Sequence, residues 1–333
     1  MKPNHLSAAT SPLSLQGAVW KGLLPIYLQH WHEGWGQFEP ALDVLGEPTV
    51  GLVYVKRVPE QICYAWAIAH SLASRLHLAP TDIAMQLAQR LNQSITDSAS
   101  ATGPNWALPD WTSFEGSDRS FTLAQFVWAS CRVRAHSSGI VQLGVGDYGV
   151  AVWLHGMSQR WLYPPPRLRE SPVAVEILPQ VTRVWLIQVA HGRCCSLLRL
   201  AADAGMIALQ IAGSHEGGWR IPQPLPWLTD AGVLQCRDRI EYELVQRLVA
   251  VLDDAWAERI TPKTALRHAE HVSDRLSQLD AAYPLFGATK GIGDARGNLV
   301  ARVQVRMGLV CIAKEVLGWL LHTWLGAEAP TEL

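Results

Sequence analysis

Two short segments of this 333-residue chain carry groups that could do chemistry, one as metal ligands and one as a turn around phosphate. Residues 30–33, His-Trp-His-Glu, offer imidazole and carboxylate groups, but no further ligands follow at the spacing of a zinc site. Residues 287–293, Gly-Ala-Thr-Lys-Gly-Ile-Gly, have the glycines of a dinucleotide-binding turn without the βαβ unit that such a turn requires. We therefore predict a helix end at the first segment, an interhelical loop at the second, and neither metal nor cofactor at either.

The vicinal pair Cys194-Cys195 is a third candidate, for thiol redox chemistry. In a helix, Cys194 shares an apolar face with Ile187, Leu197 and Ala201, so it is predicted to pack in the core. Only Cys195 is predicted to be accessible. The chain has six cysteines and no Cys-x-x-Cys pair, which predicts buried, reduced thiols in a cytoplasmic protein.

Basic residues concentrate in one part of the chain. Between residues 151 and 200 there are six arginines and two acidic residues, whereas the whole chain has a formal net charge of -1. A charge run is usually a solvated face, but arginines are also the side chains that contact RNA phosphates. The candidate RNA-binding side chains are those of Arg167, Arg169, Arg183, Gln188, Arg193 and Arg199.

Three of these candidates lie on one helix, predicted to begin near Val184. Spacings of three and four residues place Gln188 and Arg199 on its polar side and Arg193 at the edge of its apolar side. Arginines at such an edge either form salt bridges to a neighbouring helix or reach a ligand, and both roles are open for Arg193. Arg199 is predicted to face solvent.

A second helix is predicted within residues 301–330. Apolar residues at positions 309, 313, 316, 320 and 324 recur at helical spacing and form one buried face. Gly326 suits the left-handed residue that ends a helix, and Pro330 blocks continuation. Because Arg306, Lys314 and Glu315 interrupt the apolar run, we do not expect this helix to span a membrane.

The order of residues in these two helices resembles a known family. Residues 188–199, Gln-Val-Ala-His-Gly-Arg-Cys-Cys-Ser-Leu-Leu-Arg, are similar to the first helix of the anticodon-binding (DALR) domain of class I arginyl-tRNA synthetases. Residues 301–330 resemble its closing helix, and residues 243–248 and 265–283 resemble its middle helices. The resemblance implies an all-α helical bundle of the DALR anticodon-binding type over residues 181–333, with tRNA as its ligand.

Residues 1–160 resemble the N-terminal additional domain of the same family. The predicted elements are helices at 64–76 and 80–91, a strand at 139–143 and a helix at 150–157. The resemblance implies an α+β domain with a small antiparallel sheet. Residues 94–120, rich in Ser, Gly, Pro and Asp, are predicted to form a long loop within it.

The catalytic domain of the family has no counterpart between these two parts. Only residues 161–180 separate them, and the run Pro164-Pro165-Pro166 favours a stiff linker there. The chain also has no His-x-Gly-His turn for ATP phosphates. The resemblance therefore implies a synthetase relative that is not an enzyme.

These features predict a non-catalytic cytoplasmic protein that binds tRNA, with arginine tRNA or a tRNA-like RNA as candidates. The alternative is a scaffold or assembly factor that uses the same fold for protein partners, and a third reading is a subunit that works with a separate catalytic chain. Fifteen tryptophans, among them Trp106, Trp111, Trp219 and Trp227 in segments with Pro and Gly, could stack on bases or anchor a protein partner. No secretory signal is recognised in the first twenty residues.

Overall fold

The computed structural model of the protein describes residues 14–34, 52–55, 61–102, 118–159, 181–211, 218–236, 238–283 and 295–332. Several predictions fall outside these residues: the linker at 161–180 with Arg167 and Arg169, the glycine-rich segment at 287–293, Trp106 and Trp111.

The described chain forms two compact units that divide between Trp153 and Leu154. The elements up to this point are α1 (Leu15–Gly34), β1 (Leu52–Tyr54), β2 (Ile62–Trp66), α2 (Ile68–Leu76), α3 (Pro80–Thr102), α4 (Asp118–Ala129), β3 (Cys131–Ala135) and β4 (Val141–Val145). Helix α5 (Asp147–Gln159) contains the division. After it come α6 (Val181–Asp203), β5 (Gln210–Ile211), β6 (Trp219–Arg220), α7 (Arg239–Trp256), α8 (Pro262–Ala282) and α9 (Ala295–Trp324). The predicted combination of helices with a small antiparallel sheet is confirmed.

The sheet of the first unit is antiparallel, with strand order β1-β2-β4-β3. Alternate residues point to opposite faces, so Ile62, Tyr64 and Trp66 of β2 all lie buried on one side. The indole of Trp66 meets the ring of Trp20 edge-on at 6.1 Å and that of Tyr27 at 5.7 Å, which joins the sheet to α1.

The other face of the sheet carries two arginines on the edge strand β3. Arg132 and Arg134 are exposed, whereas Cys131 and Val133 between and beside them are buried. The segment Cys-Arg-Val-Arg-Ala therefore alternates as a half-buried strand should. These two arginines are not among the candidates predicted from the sequence, although the alternation is visible there.

An amide side chain covers the open edge of β3. Asn92 of α3 donates from Nδ2 to the carbonyl oxygen of Val133 at 2.8 Å and accepts from the Val133 N–H at 3.1 Å. Both unpaired backbone groups of Val133 are thus satisfied, which also protects the edge from pairing with another strand.

Replacing Asn92 by alanine is expected to lower the free energy of unfolding by about 1 to 2 kcal/mol, because two hydrogen bonds are lost. Chemical denaturation followed by tryptophan fluorescence measures the loss, and faster hydrogen exchange at the Val133 amide localises it. The neighbouring Gln93→Ala change is the control, since Gln93 bonds within its own helix to Asp97 at 3.1 Å. An Asn92→Ala protein as stable as the Gln93→Ala protein would contradict this role.

The prediction of a helix beginning at Tyr64 is wrong. Tyr64 and Ala65 lie in β2, and α2 begins only at Ile68. Pairing on both sides decides this, because Tyr64 lies opposite Tyr54 of β1 and Leu143 of β4. The β-branched and aromatic residues of this segment suit a strand buried between two neighbours.

The long loop predicted at residues 94–120 is also wrong where it can be compared. Residues 94–102 continue α3, and residues 118–120 begin α4. The hydroxyl groups that suggested a loop bond within the helix instead: Thr96 Oγ1 donates to the carbonyl of Asn92 at 3.0 Å, and Ser100 Oγ donates to that of Thr96 at 2.9 Å. The predicted helix at 150–157 lies within α5, and residues 30–33 lie in the last turn of α1, as expected.

Helix α9 is the centre of the second unit. It packs on α6, α7 and α8, and the side chains around its middle, such as Leu309, Val316 and Leu320, are fully buried. Gly308 allows the segment before α7 to pack closely: a Cβ there would lie 2.5 Å from Leu225 and 2.6 Å from Trp227.

The ends of these helices follow local chemistry. At the start of α8, the Thr261 side chain accepts from the Thr264 N–H at 3.3 Å, while Thr264 Oγ1 accepts from the Thr261 N–H at 2.7 Å, and Pro262 follows the cap. Beyond α9, Gly326 adopts φ of 59°, which confirms the left-handed residue predicted there. The chain then turns back along the helical unit.

One buried ion pair crosses the second unit. Arg306 of α9 donates from Nε to Glu241 Oε1 of α7 at 2.6 Å, and its guanidinium lies 3.8 Å from the centre of the Tyr283 ring. The Tyr283 hydroxyl in turn donates to Asp238 at 3.0 Å. Burial raises the pKa of the Glu241 carboxyl, and the bond to Arg306 opposes that shift. Arg306 therefore tethers helices.

No helix within the described ranges is both long and apolar enough to cross a bilayer.

Candidate nucleic-acid interface

The exposed face of α6 combines aliphatic, aromatic and basic groups. Val181, Trp185 and Leu186 are 62%, 57% and 55% exposed, and Leu200 near the other end of the helix is exposed as well. The opposite face, which includes Ile187, is buried against α8 and α9. We call the exposed residues 181, 185, 186 and 200 the α6 stripe.

Two of the predicted RNA-binding arginines lie along the border of the stripe with α8. Arg183 pairs with Glu270 through two parallel bonds, from Nε to Oε1 and from Nη2 to Oε2. Arg193 pairs through Nε with Asp280 Oδ2 at 3.0 Å. The hydrogen bond to Glu270 raises the pKa of the Arg183 guanidinium, so its charge is permanent.

The other two described candidates lie along the border with the C-terminal segment. Gln188 donates from Nε2 to the Glu328 carbonyl oxygen at 2.8 Å. Arg199 donates from Nη1 to the Thr331 carbonyl oxygen at 2.9 Å and lies 3.9 Å from a carboxylate oxygen of Glu332. Residues 327–332, which we call the C-terminal tail, thus run alongside α6. Arg199 was predicted to face solvent. It is partly exposed, but its guanidinium is bonded to the tail.

A buried histidine fixes the middle of the tail. The Nδ1 atom of His191 lies 2.8 Å from the Pro330 carbonyl oxygen, and because a carbonyl can only accept, Nδ1 carries the proton. Burial, followed by the charge of Lys314, lowers the pKa of His191 to about 4, so the ring is neutral at pH 7. A Cβ on Gly318 would lie 3.2 Å from His191 Nε2 and 3.8 Å from Cβ of Ala329. The glycine leaves room for both.

Beneath the tail border, cations pack against Trp219. The Arg199 guanidinium lies 5.1 Å from the ring centre and the Lys314 amino group 4.9 Å. The Glu315 carboxylate accepts from the backbone N–H of Trp219 at 2.7 Å and from Lys314 Nζ at 2.8 Å. Trp219 is 5% exposed and Trp227 is fully buried, so the prediction that these two tryptophans offer exposed surfaces is wrong. Both pack against α9, which the segment's Pro and Gly residues do not reveal.

The cysteine pair belongs to the core. Cys194 and Cys195 are both buried, so the predicted accessibility of Cys195 is wrong. Burial raises the pKa of Cys195 to about 11, and it raises that of Cys194 further. Since the thiolate is the reactive form, both thiols are unreactive near neutral pH.

Among the described residues, no group of three His, Cys, Asp or Glu side chains is arranged to hold a metal ion.

All four candidates that the structure describes therefore share one helix and flank one exposed stripe. Each has a partner within the chain: a carboxylate of α8 for Arg183 and Arg193, and the C-terminal tail for Gln188 and Arg199. The sequence placed Arg193 and Arg199 correctly on the helix surface but could not reveal these partners. Trp185 is the aromatic residue of the stripe, and nothing in its local sequence distinguishes it from the buried tryptophans.

Comparison with models of known protein families, with curated proteins and with solved structures found no match to this chain.

Proposed function

We propose that this protein is a non-catalytic RNA-binding protein that contacts tRNA through a DALR anticodon-binding-type bundle formed by α6 to α9. The observation that carries the proposal is that α6 exposes the side chain of Trp185 together with those of Arg183 and Arg193. Proteins that bind single-stranded nucleic acid combine aromatic platforms for bases with cations for the backbone. An anticodon loop presents both unstacked bases and phosphates.

The ion pairs of Arg183 and Arg193 are compatible with this role. Their side chains are 47% and 53% exposed, and surface ion pairs of this kind contribute only about 0 to 1 kcal/mol. A phosphate can replace the carboxylate at small cost, and until then the carboxylate holds the guanidinium at the border of the stripe. The same weak pairing explains how an interface can exist in a chain of net charge -1.

The resemblance to arginyl-tRNA synthetases supports tRNA as the RNA class. The similar segments 188–199 and 301–330 fall mainly on α6 and α9, which pack against each other. Arginine tRNA is the first RNA to test. The lack of a His-x-Gly-His turn in the sequence supports a role in binding and not in amino-acid activation.

The triple change Arg183→Ala, Arg193→Ala, Arg199→Ala tests the interface. If these side chains contact phosphates, the slope of log affinity against log salt should fall by about 2 to 3 units, because each lost contact removes about 0.7 to 0.9 of a unit. Filter binding with arginine tRNA between low and moderate salt measures the slope. Trp185→Ala should weaken binding about fivefold to a hundredfold with an unchanged slope, because stacking contributes about 1 to 3 kcal/mol and no charge.

The control is Arg90→Ala, Arg239→Ala, Arg259→Ala, which removes the same charge from exposed positions off α6. An equal loss of slope in this control would show that net charge, and not the α6 surface, determines binding. Absence of tRNA binding even at low salt, where attraction is strongest, both by the unchanged protein and by a chain that ends after Gly326, would refute the proposal.

A scaffold role is the second candidate, and a separate observation favours it. Val181 and Leu186 extend the stripe beside Trp185 with aliphatic surface, which suits a protein partner better than RNA. Copurification from cells before and after ribonuclease treatment distinguishes the two functions. A partner protein retained after ribonuclease and lost on Val181→Ser, Leu186→Ser would favour the scaffold.

A further inference from the structure

The C-terminal tail lies against the helix that carries the candidate interface. Its contacts run in one direction along α6: Glu328 meets Gln188, Pro330 meets His191, and Thr331 with Glu332 meets Arg199. Every contact joins a donor on α6 to an oxygen acceptor of the tail. The tail therefore presents to α6 a row of acceptors, as an RNA backbone does.

We propose that residues 327–332 compete with RNA for the donors of α6, so that the free protein covers part of its own binding surface. This inference rests on the proposed function, because it concerns regulation of the same site. Gln188 and Arg199 cannot donate to tail carbonyls and to phosphate oxygens in the same geometry at once. RNA gains its full set of contacts only after the tail has left.

The charge and the packing of the tail fit a displaceable segment. Glu328 and Glu332 give residues 326–332 two negative charges and no positive charge, and Glu332 is 84% exposed beside Arg199. Ala327, Ala329 and Pro330 are only half-buried, and the tail has no helix or strand of its own. Segments held by few apolar contacts open at low free-energy cost.

The groove under the tail is nevertheless shaped for it. Gly318 of α9 forms part of its floor, where an added Cβ would lie 3.8 Å from the Ala329 side chain. The turn at Gly326 returns the chain toward α6, and the Ala327 N–H donates to the Leu321 carbonyl at 3.0 Å. Docking within the chain also benefits from a high effective concentration, which a partner in solution lacks.

Two variants test the competition in the full protein. Ending the chain after Gly326 removes the tail, and Ala329→Leu crowds the tail against Gly318 while leaving both glutamates in place. Each should bind arginine tRNA about three- to tenfold more tightly than the unchanged protein, because the fraction of protein competent to bind rises. The second variant carries the test if the shortened chain fails to fold, which thermal unfolding reports.

A charge control separates occlusion from simple repulsion. Asp230→Asn with Glu258→Gln removes two exposed acids outside the tail, and it should change the affinity less than tail removal does. A synthetic peptide with the tail sequence Gly-Ala-Glu-Ala-Pro-Thr-Glu should lower RNA binding by the shortened protein. Equal gains from the charge control and from tail removal would overturn the inference.

The possible failures remain distinguishable. Equal tRNA affinity for the unchanged protein, the shortened protein and Ala329→Leu overturns the competition and leaves the proposed function intact. No tRNA binding by any of the three proteins overturns the proposed function and the competition together. Tighter binding by both tail variants, reversed in the shortened protein by the peptide, supports both.

Discussion

Replacing Arg306 by alanine is expected to lower the free energy of unfolding by about 3 to 5 kcal/mol at neutral pH. The side chains of Arg306 and Glu241 are 8% and 3% exposed, so the change leaves a carboxylate in a site that water does not reach. The contact of the guanidinium with the Tyr283 ring is lost as well. Urea denaturation followed by circular dichroism measures the effect.

The pH dependence of this loss has a definite sign. Burial already raises the pKa of Glu241, and removing Arg306 takes away the group that opposes the rise. The variant is therefore destabilised most above the ordinary range of a glutamate, where the unfolded carboxyl is ionised, and the loss shrinks as the pH falls and the carboxyl takes up a proton.

Two controls identify the cause. The double change Arg306→Met, Glu241→Leu removes both charges and should recover most of the stability, because two apolar side chains need no counter-charge. Arg239→Ala breaks the exposed pair with Glu243 and should cost less than about 1 kcal/mol. An Arg306→Ala protein as stable as Arg239→Ala would mean that water solvates Glu241 and that the pair is not buried.

Helix positions in the second unit followed closely from the sequence. The periodic apolar residues of α9 are a local signal, and the structure places that helix over them. Gly326 is the same kind of case, because a left-handed residue is favourable for glycine whatever its surroundings.

Errors arose where tertiary pairing overrides local signals. The segment from Tyr64 has helix-like spacing, but it forms β2 because β1 and β4 pair with it on both sides. The serines and threonines after residue 94 suggested a loop, yet a continuing helix satisfies their hydroxyl groups. Neither the strand at Tyr64 nor the continued helix after residue 94 can be predicted from the local sequence alone.

The sequence predicted where the candidate interface lies, but not which partners its side chains have within the chain. Helical spacing placed Gln188 and Arg199 on one side of α6, as the structure has them. Their engagement by the C-terminal tail depends on contacts more than 100 residues apart in sequence, 140 for Gln188 and 132 for Arg199. Burial of Trp219 by α9 is equally non-local.

Lowering the pH from 7 to 4 is expected to destabilise the unchanged protein by about 3 kcal/mol more than it destabilises His191→Gln. The pKa of His191 is about 4 in the folded protein against an ordinary value of 6.5. Above pH 6.5 the ring is neutral in both states and the stability is complete. Between pH 6.5 and pH 4 the His191 ring takes up a proton in the unfolded chain but not in the folded chain. The free energy of unfolding therefore decreases as the pH falls.

Glutamine at position 191 keeps an N–H donor for the Pro330 carbonyl but cannot titrate. The comparison therefore isolates the imidazole from the carboxylates and other histidines, which are present in both proteins. Urea denaturation at half-unit steps of pH measures the two profiles. His322→Gln is the control, because His322 is only half-buried and its lowered pKa should contribute less.

The same titration reports whether the C-terminal tail is seated. With the chain ended after Gly326, His191 gains access to water, and its pKa should move up from about 4 toward the ordinary value, because burial lowers the pKa more than the bond to the Pro330 carbonyl raises it. The imidazole proton resonances follow this shift directly by NMR. A His191 that titrates alike in the full and shortened proteins would show that the tail does not cover it in solution. If the His191 ring is open to water both with and without the tail, the stability of the full protein should depend on pH in the same way as that of His191→Gln.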